Sequence, residues 1–357
     1  MENKKRYGQY YTTEWSIILD RMDPPDGYKI EPFIGNGDLL KFCDFDEMYD
    51  IDPKIECEKR DTLLDPPDYA NKYVITNPPY LARNKSKDKT IFDKYNVNDL
   101  YKCFIKSIIN VGLLGGIIII PVSFLSSIRN MEIELRRQFI LEFNIRRVNL
   151  FEYQVFSDTT TPICAIQFES RELNENNNIY HLPIHIYKEN RNTPEYMNVK
   201  LDEENNYTIG GKIYNLTGPY NIKRLCEGDT ANNNLLINCI DSSNNFISMK
   251  LVGDEDIYYD CTKNRSARTY VSFSIEPQIS ITLQRLTVKV FNNLLNKLRN
   301  KYHSMFLNSY RETSRKRISF TLAKNLLNYS IMRAKKLLEN YKLISSSTSM
   351  SSSTSPN

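Results

Sequence analysis

A short apolar run, Tyr73-Val74-Ile75-Thr76, ends against two consecutive prolines, Pro78 and Pro79. No other feature limits the fold of this chain as firmly. The run reads as a buried strand. A double proline neither continues a sheet ladder nor sits inside a helix, so the strand stops at Asn77 and the turn after it is stiff. Asn77-Pro78-Pro79-Tyr80 therefore presents an amide side chain, a rigid carbonyl and an aromatic ring at a strand end. In open α/β sheets ligands bind at that edge. These groups suit a planar amino group and the ring that carries it.

The surrounding pattern extends the argument. Thr13–Met22 reads as a helix broken by Asp23-Pro24-Pro25, and Tyr28–Glu31 as a short strand. Gly35-Asn36-Gly37 is a tight turn into a helix near Asp38–Phe42, and Glu47–Ile51 is a second strand ending at Asp50 and Asp52. The stretch from Asp52 to Thr62 is too short for a full helix and strand, which predicts a trimmed crossover. Arg83–Lys89 is a charged loop, Asn98 or Asp99 caps a helix to about Asn110, and Gly116–Pro121 is a buried strand. A helix over Met131–Phe139 and strands over Arg146–Leu150 and Ile163–Phe168 complete the front half. The expected fold is α/β, a doubly wound, mostly parallel Rossmann-like sheet over 1–170. The polar, Asn-rich stretch Ser170–Asn178 marks a boundary to a second, α+β domain over 171–344, with short strands and basic helices over Leu286–Leu307 and Ile318–Ile344. Ser/Thr-rich 345–357 reads as a disordered tail.

Charge is divided unevenly along the chain. Residues 1–170 hold 22 Lys and Arg against 26 Asp and Glu, whereas 285–342 hold 14 against 2. An acidic front and a strongly basic rear suggest a catalytic part joined to a part that binds a polyanion, with Arg315, Lys316, Arg317, Arg333, Lys335 and Lys336 as phosphate contacts. Lys85 and Lys87, just past the proline corner, are further candidates. The seven scattered cysteines form no CxxC pair and fit free thiols in a reducing compartment. The most apolar stretch, Val111–Leu125, is too short and interrupted to span a bilayer, so the expectation is a cytoplasmic protein without membrane contact. His181 and His185 are separated by Pro183, which argues against a helical metal pair, and no metal site is expected.

The front half also holds a connected set of polar groups. Glu31-Pro32-Phe33-Ile34-Gly35-Asn36-Gly37 places a glycine turn between a strand and a helix, a nucleotide-cradling device. It lacks the third glycine of a dinucleotide fingerprint and the lysine of a phosphate loop, and its acid Glu31 repels phosphate but attracts a cation. Asp50, at the next strand end, sits where a carboxylate accepts from ribose hydroxyls. Asp61 is placed to accept from an exocyclic amine.

In these motifs the chain resembles the S-adenosylmethionine-dependent adenine-N6 DNA methyltransferases of the γ arrangement. Gly8-Gln9-Tyr10-Tyr11-Thr12 is similar to their N-terminal motif, Glu31–Gly37 to their cofactor loop, Asp50-Ile51-Asp52-Pro53 to their ribose-binding strand end, and Arg60–Leu64 to their adenine-binding motif. Asn77–Tyr80 is similar to their catalytic signature, and Val155-Phe156 with Asp158–Thr161 to their late motif. The resemblance covers about residues 5–170. It implies S-adenosylmethionine held by Tyr11, Thr12, Glu31, Pro32, Phe33, Gly35, Asp50, Ile51, Asp61, Thr62 and Asn77. It implies N6 gripped by Asn77 and Pro78, with Pro79 stiffening the turn and the extruded base between Tyr80 and Phe156. The implied partner is double-stranded DNA, bound by a monomer, with a cognate restriction endonuclease in the same system. Two alternatives stay open: an amino-group methyltransferase acting on RNA, and a non-catalytic DNA-binding protein on the same scaffold.

Overall fold

The computed structural model describes residues 8–157, 159–171, 180–189, 191–242, 244–260, 269–302, 307–309 and 315–351. Asp158, Cys261, His303 and residues 352–357 lie outside them. Two compact units divide the chain at Gly211 and Lys212, with Ser309–Ser314 grouped with the first.

The first unit is built on a nine-stranded sheet. Its strands are β1 (Lys29–Glu31), β2 (Glu47–Asp50), β3 (Glu58–Lys59), β4 (Tyr73–Thr76), β5 (Gly115–Pro121), β6 (Phe143–Phe151), β7 (Ile163–Ser170), β8 (Tyr180–Tyr187) and β9 (Glu195–Leu201). Their spatial order is β3-β2-β1-β4-β5-β7-β6-β8-β9. Pairings from β3 through β5 and between β6 and β8 are parallel, while β7 runs antiparallel to both its neighbours and β9 to β8. This is the doubly wound, mostly parallel arrangement expected from the alternation of strands and helices. The chain leaves β1 toward β2 on one side and leaves β4 toward β5 on the other, so β1 and β4 flank the topological switch point.

β5 explains why the sheet must be covered on both faces: Ile117 to Ile120 are all at most 1% exposed, the continuous apolar run of a doubly buried strand. Helix α1 (Trp15–Ile18) is a single turn, much shorter than the predicted Thr13–Met22. Arg21 turns left-handed at φ 57°, and the Asn149 amide closes the turn by donating to the carbonyls of Ile18 and Asp20. Helix α2 (Thr90–Tyr95) was not predicted, since Asp93 and Lys94 mask the buried Phe92. Helix α3 (Leu100–Ile108) has Asp99, one of the two expected capping residues, at its N-cap position, without a side-chain capping bond, and is buried at eight of nine positions. After the single turn α4 (Ser123–Ser126), helix α5 (Asn130–Glu142) carries the fully buried Arg136. The Arg136 guanidinium donates to the carbonyls of Phe124, Ser127, Asn206 and Tyr207, which ties the segment after β9 into this unit.

β8 and β9 correct the expected boundary at 170/171. They extend the first sheet, with β8 paired to β6 over Val148–Phe151, so the first unit runs through Gly211. Their alternating burial reads equally well as the start of a separate β domain, and only the pairing to β6 tells the two apart.

In the second unit, β10 (Asn221–Arg224) pairs with β14 (Phe273–Glu276), and β11 (Leu235–Asn238) lies between β12 (Ser248–Leu251) and β13 (Tyr270–Val271). Helices α6 (Ile281–Lys301) and α7 (Phe320–Ser351) close its core through Phe291, Leu295, Leu322, Leu326 and Ile331. The α7 backbone stays helical to Ser351, where the sequence predicts a disordered tail from 345. Serine and threonine are weak helix formers but do not break a helix already propagating.

Candidate active site

The carboxyl ends of β1 and β4 open onto a cavity of about 880 Å³. Local chemistry brings the two ends together. The Thr76 hydroxyl, the last residue of β4, donates to Glu31 Oε1 at the end of β1, and the Phe33 amide donates to the same oxygen at 2.9 Å. Glu31 Oε2 has no hydrogen-bond partner among the described residues, although Glu31 is 0% exposed. Burial pushes this carboxyl up to about 8, with Asp50 adding to the shift and the bonds from Thr76 and Phe33 opposing it. A buried acid with one idle oxygen is a ready partner for a cation.

The glycine turn is shaped by close contacts. Gly37 sits at φ 77°, a left-handed conformation that favours glycine, and a Cβ there would press on Ile55 Cδ1 at 2.9 Å. Asp50 is 4% exposed, and its carboxylate accepts from the amides of Gly35 (2.9 Å) and Asp52 (2.7 Å), which aligns it with the cavity wall. Asp61 Oδ1 accepts from the amides of Leu63 and Leu64, fixing the turn after the trimmed crossover. Thr62 ties that turn to β1 by donating to the Pro32 carbonyl at 3.0 Å.

Asn77 is held from the amino-terminal side. Its Nδ2 donates to the Tyr10 carbonyl at 2.8 Å and to Thr12 Oγ1 at 3.1 Å, which identifies the other amide atom as oxygen. That oxygen and the Ile119 carbonyl, the latter at 2.7 Å, are both acceptors within reach of the Tyr80 hydroxyl, whose single proton serves one of them at a time. The Tyr80 amide donates to the Gly8 carbonyl at 2.9 Å. Gly8 is pressed so close that a Cβ there would lie 2.6 Å from the Tyr80 carbonyl oxygen.

Tyr11, Phe33, Gly35, Asp50, Ile51, Asp61, Thr62, Asn77 and Pro79 line the cavity, and so do Lys85 and Lys87 on the loop beyond the corner. Thr12, Glu31, Pro32 and Pro78 are buried behind its wall. The expected pair of base-stacking rings is placed differently. Tyr80 is 8% exposed, with its ring stacked on Tyr10 and edge-on to Tyr101, and Phe156 is 2% exposed. Neither ring lines the cavity. Tyr10, Arg60, Ile91 and Phe92 do; the sequence places Tyr10 and Arg60 only within larger motifs and gives Ile91 and Phe92 no role. The signal for Tyr10 was the aromatic cluster around it. Phe92 was hidden in the unpredicted α2.

The basic candidates of the second unit lie on its helices and the strand before them. Arg333, Lys335 and Lys336 are exposed on α7, Lys316 and Arg317 are half-buried just before it, and the Arg315 side chain lies outside the described residues. No helix among the described residues is long and apolar enough to cross a membrane.

Removing the Tyr80 hydroxyl tests the scaffold of the corner. Tyr80→Phe leaves the buried Ile119 carbonyl with one partner fewer and is expected to cost about 1–2 kcal/mol in denaturant unfolding.

A family model described as Eco57I restriction-modification methylase matches residues 59–156. No curated protein matches the chain. Among solved structures, a modification subunit of a putative type I restriction enzyme from Vibrio vulnificus YJ016 is 14% identical, covering 52% of this chain and 49% of that one at a TM-score of 0.38. The EcoKI M protein, of a type I restriction enzyme, is 15% identical over 58% of this chain and 53% of its own, at 0.36. A DrdV–DNA complex is 14% identical over 58% and 32%, at 0.40. The chain spans about half or less of the length of these three proteins. The segment that carries the Asn77–Tyr80 corner is similar to Eco57I restriction-modification methylases, and in its ordered motifs the chain resembles S-adenosylmethionine-dependent adenine-N6 DNA methyltransferases.

Proposed function

We propose that this chain transfers a methyl group from S-adenosylmethionine to N6 of an adenine flipped out of duplex DNA at a short specific sequence. The observation that carries this reading is the Asn77 amide at the switch point. The Tyr10 carbonyl and Thr12 fix its orientation, and it stands on the wall of the same cavity as Asp50 and Asp61.

The residues fit the cofactor. Glu31, just behind the wall, would offer its idle oxygen to an α-ammonium, Asp50 would accept from ribose hydroxyls and Asp61 from an adenine amine, while Tyr11 and Phe33 supply apolar wall. When bound, S-adenosylmethionine supplies an electrophilic methyl group. The chain's own part is to make N6 nucleophilic. The lone pair of an aromatic amine is delocalised into its ring. A carbonyl oxygen has two acceptor sites, so Asn77 Oδ1 accepts one N6 hydrogen while keeping Tyr80, and the Pro78 carbonyl accepts the other. Two fixed acceptors favour a pyramidal nitrogen with its lone pair free. The orientation of the Asn77 acceptor is set before the base arrives, which makes this electrostatic preorganisation.

The second unit is the target-recognition part, roughly Lys212 to residue 344, and its basic helix positions the duplex through phosphates. One molecule carries one such site, so a monomer suffices. A matching endonuclease in the same cell is the activity that the modification would block. Incubation with DNA of varied sequence and labelled cofactor, followed by digestion to nucleosides, tests the reading. N6-methyladenine is expected. Label found solely in RNA or in another base, or no label at all, overturns it.

A further prediction concerns Lys335 and Lys336. Changing both to glutamine is expected to weaken binding evenly across sequences and to lower the slope of log affinity against log salt by about two. Fluorescence anisotropy between about 50 and 200 mM salt measures it.

A further inference from the structure

The turn that carries Asp61 is held at both ends. Thr62 fastens its start to β1 through the Pro32 carbonyl. Helix α2 grips its end. The Tyr95 hydroxyl donates to the Leu63 carbonyl at 2.9 Å, and Lys94 Nζ donates to the carbonyls of Leu63 (3.2 Å) and Leu64 (2.7 Å). The amides of the same two residues donate to Asp61 Oδ1. Leu63 and Leu64 are thus held through N–H by Asp61 and through C=O by α2. Buried Phe92 pins α2, and Asn96, left-handed at φ 53°, ends it just after Tyr95. Tyr95 is half-buried and does not line the cavity, whereas Asp61, Leu63, Ile91 and Phe92 do. Burial, and then the nearby Cys103 and Asp61, push the Tyr95 hydroxyl up to about 12, so it stays a donor at neutral pH.

We propose that Tyr95, with Lys94 beside it, is a positioning residue for the adenine of the cofactor: through the Leu63 and Leu64 carbonyls it sets the turn from which Asp61 meets the exocyclic amine. This inference rests on the proposed use of S-adenosylmethionine. A carboxylate on a turn meets one amine reliably only when the turn keeps a single conformation. Asp61 Oδ1 is committed to two amides, which leaves Oδ2 for the ligand. Releasing the carbonyls lets the peptide between Leu63 and Leu64 rotate, and Asp61 loses its alignment with those amides. The loss falls on the amine contact more than on the ribose or the cation, whose partners Asp50 and Glu31 stand at the ends of β2 and β1.

The test uses the full chain and titration calorimetry with two ligands, S-adenosylhomocysteine and its analogue with hydrogen in place of the exocyclic amine. The wild type is expected to prefer the first by about tenfold or more, the range of a hydrogen bond to a charged group. Tyr95→Phe removes only the hydroxyl. It is expected to weaken S-adenosylhomocysteine binding by about three- to tenfold, to leave the analogue nearly unaffected, and so to narrow the preference. Lys94→Met should act in the same direction. With DNA and cofactor saturating, kcat of Tyr95→Phe should stay near the wild-type value while KM for S-adenosylmethionine rises. Equal weakening of both ligands marks a role in the fold alone and overturns the proposal, as does unchanged affinity. A fall in kcat without a change in KM places Tyr95 in the chemistry and overturns it too. Should Tyr95→Phe not fold, Lys94→Met decides by the same ratio. A wild type that binds neither ligand overturns the proposed function and this inference together. A wild type that binds and methylates, but holds both ligands equally or keeps its preference in Tyr95→Phe, overturns this inference alone.

Discussion

Replacing Asn77 by alanine is expected to lower kcat for methyl transfer by at least about 10²–10³-fold, the range seen when one preorganised group is removed from a site of developing charge. DNA binding should change little, because the exposed basic residues of α7 lie on the other unit. Two effects combine. Alanine removes the oxygen that accepts an N6 hydrogen, and it releases the Tyr10 carbonyl and Thr12 from the amide that joins them. Asn77→Asp separates these effects. An aspartate keeps an acceptor, but it cannot donate to Tyr10 and it sets a negative charge against that carbonyl. Turnover of Asn77→Asp between the wild type and Asn77→Ala would apportion them. Single-turnover kinetics with labelled cofactor measures all three. An Asn77→Ala enzyme that still transfers methyl at the wild-type rate would remove the corner from the chemistry.

The second large effect is expected at Glu31. Its folded carboxyl is raised from 4.5 to about 8 by burial. A group whose folded pKa is raised favours the protonated fold. That contribution is complete below about 4.5 and is lost as pH rises through about 8. The ligand-free chain should therefore lose stability across neutral pH, by on the order of a few kcal/mol in all. Glu31→Gln should flatten that slope, because the amide never ionises. Cofactor binding should show the opposite sign. A cation held at Oε2 needs the carboxylate, so binding near neutrality should release up to one proton and strengthen as pH rises from 6 to 8 (about tenfold per unit at the limit). Glu31→Gln should remove this pH dependence and weaken binding by about 10–100-fold, as expected for losing a charge-assisted bond. Titration calorimetry in buffers of different ionisation enthalpy counts the proton directly. A wild-type affinity that ignores pH would exclude Glu31 as the cation's partner.

Much of the front half was legible in the sequence because it depends on local chemistry. β4 begins and ends where the apolar run and the prolines place it, β5 is the isoleucine run, and Asp99, one of the two expected capping residues, stands at the N-cap position of α3. The trimmed crossover contains only the two-residue β3. What the sequence hid was decided by distant partners. Asn149 ends α1 from 129 and 131 positions away. The parallel pairing of β8 with β6 moves two strands out of the expected second domain. The placement of Glu31, Asp50 and Asn77 at strand ends was readable for the same reason as β4. The ring side was not. Whether a tyrosine at a proline corner faces a cavity or the core depends on what covers it, and here Tyr10 does.

The fastening of the corner has a consequence for how the molecule matures. The bonds that orient the Asn77 amide come from residues 65 and 67 positions earlier in the chain. A partly refolded molecule can hold its sheet and its rigid proline bend while that amide still rotates freely, since such long-range closure is entropically costly. During renaturation, circular dichroism should recover ahead of turnover. Enzymatic rate, rather than helical signal, would then report when the last piece of the architecture has closed.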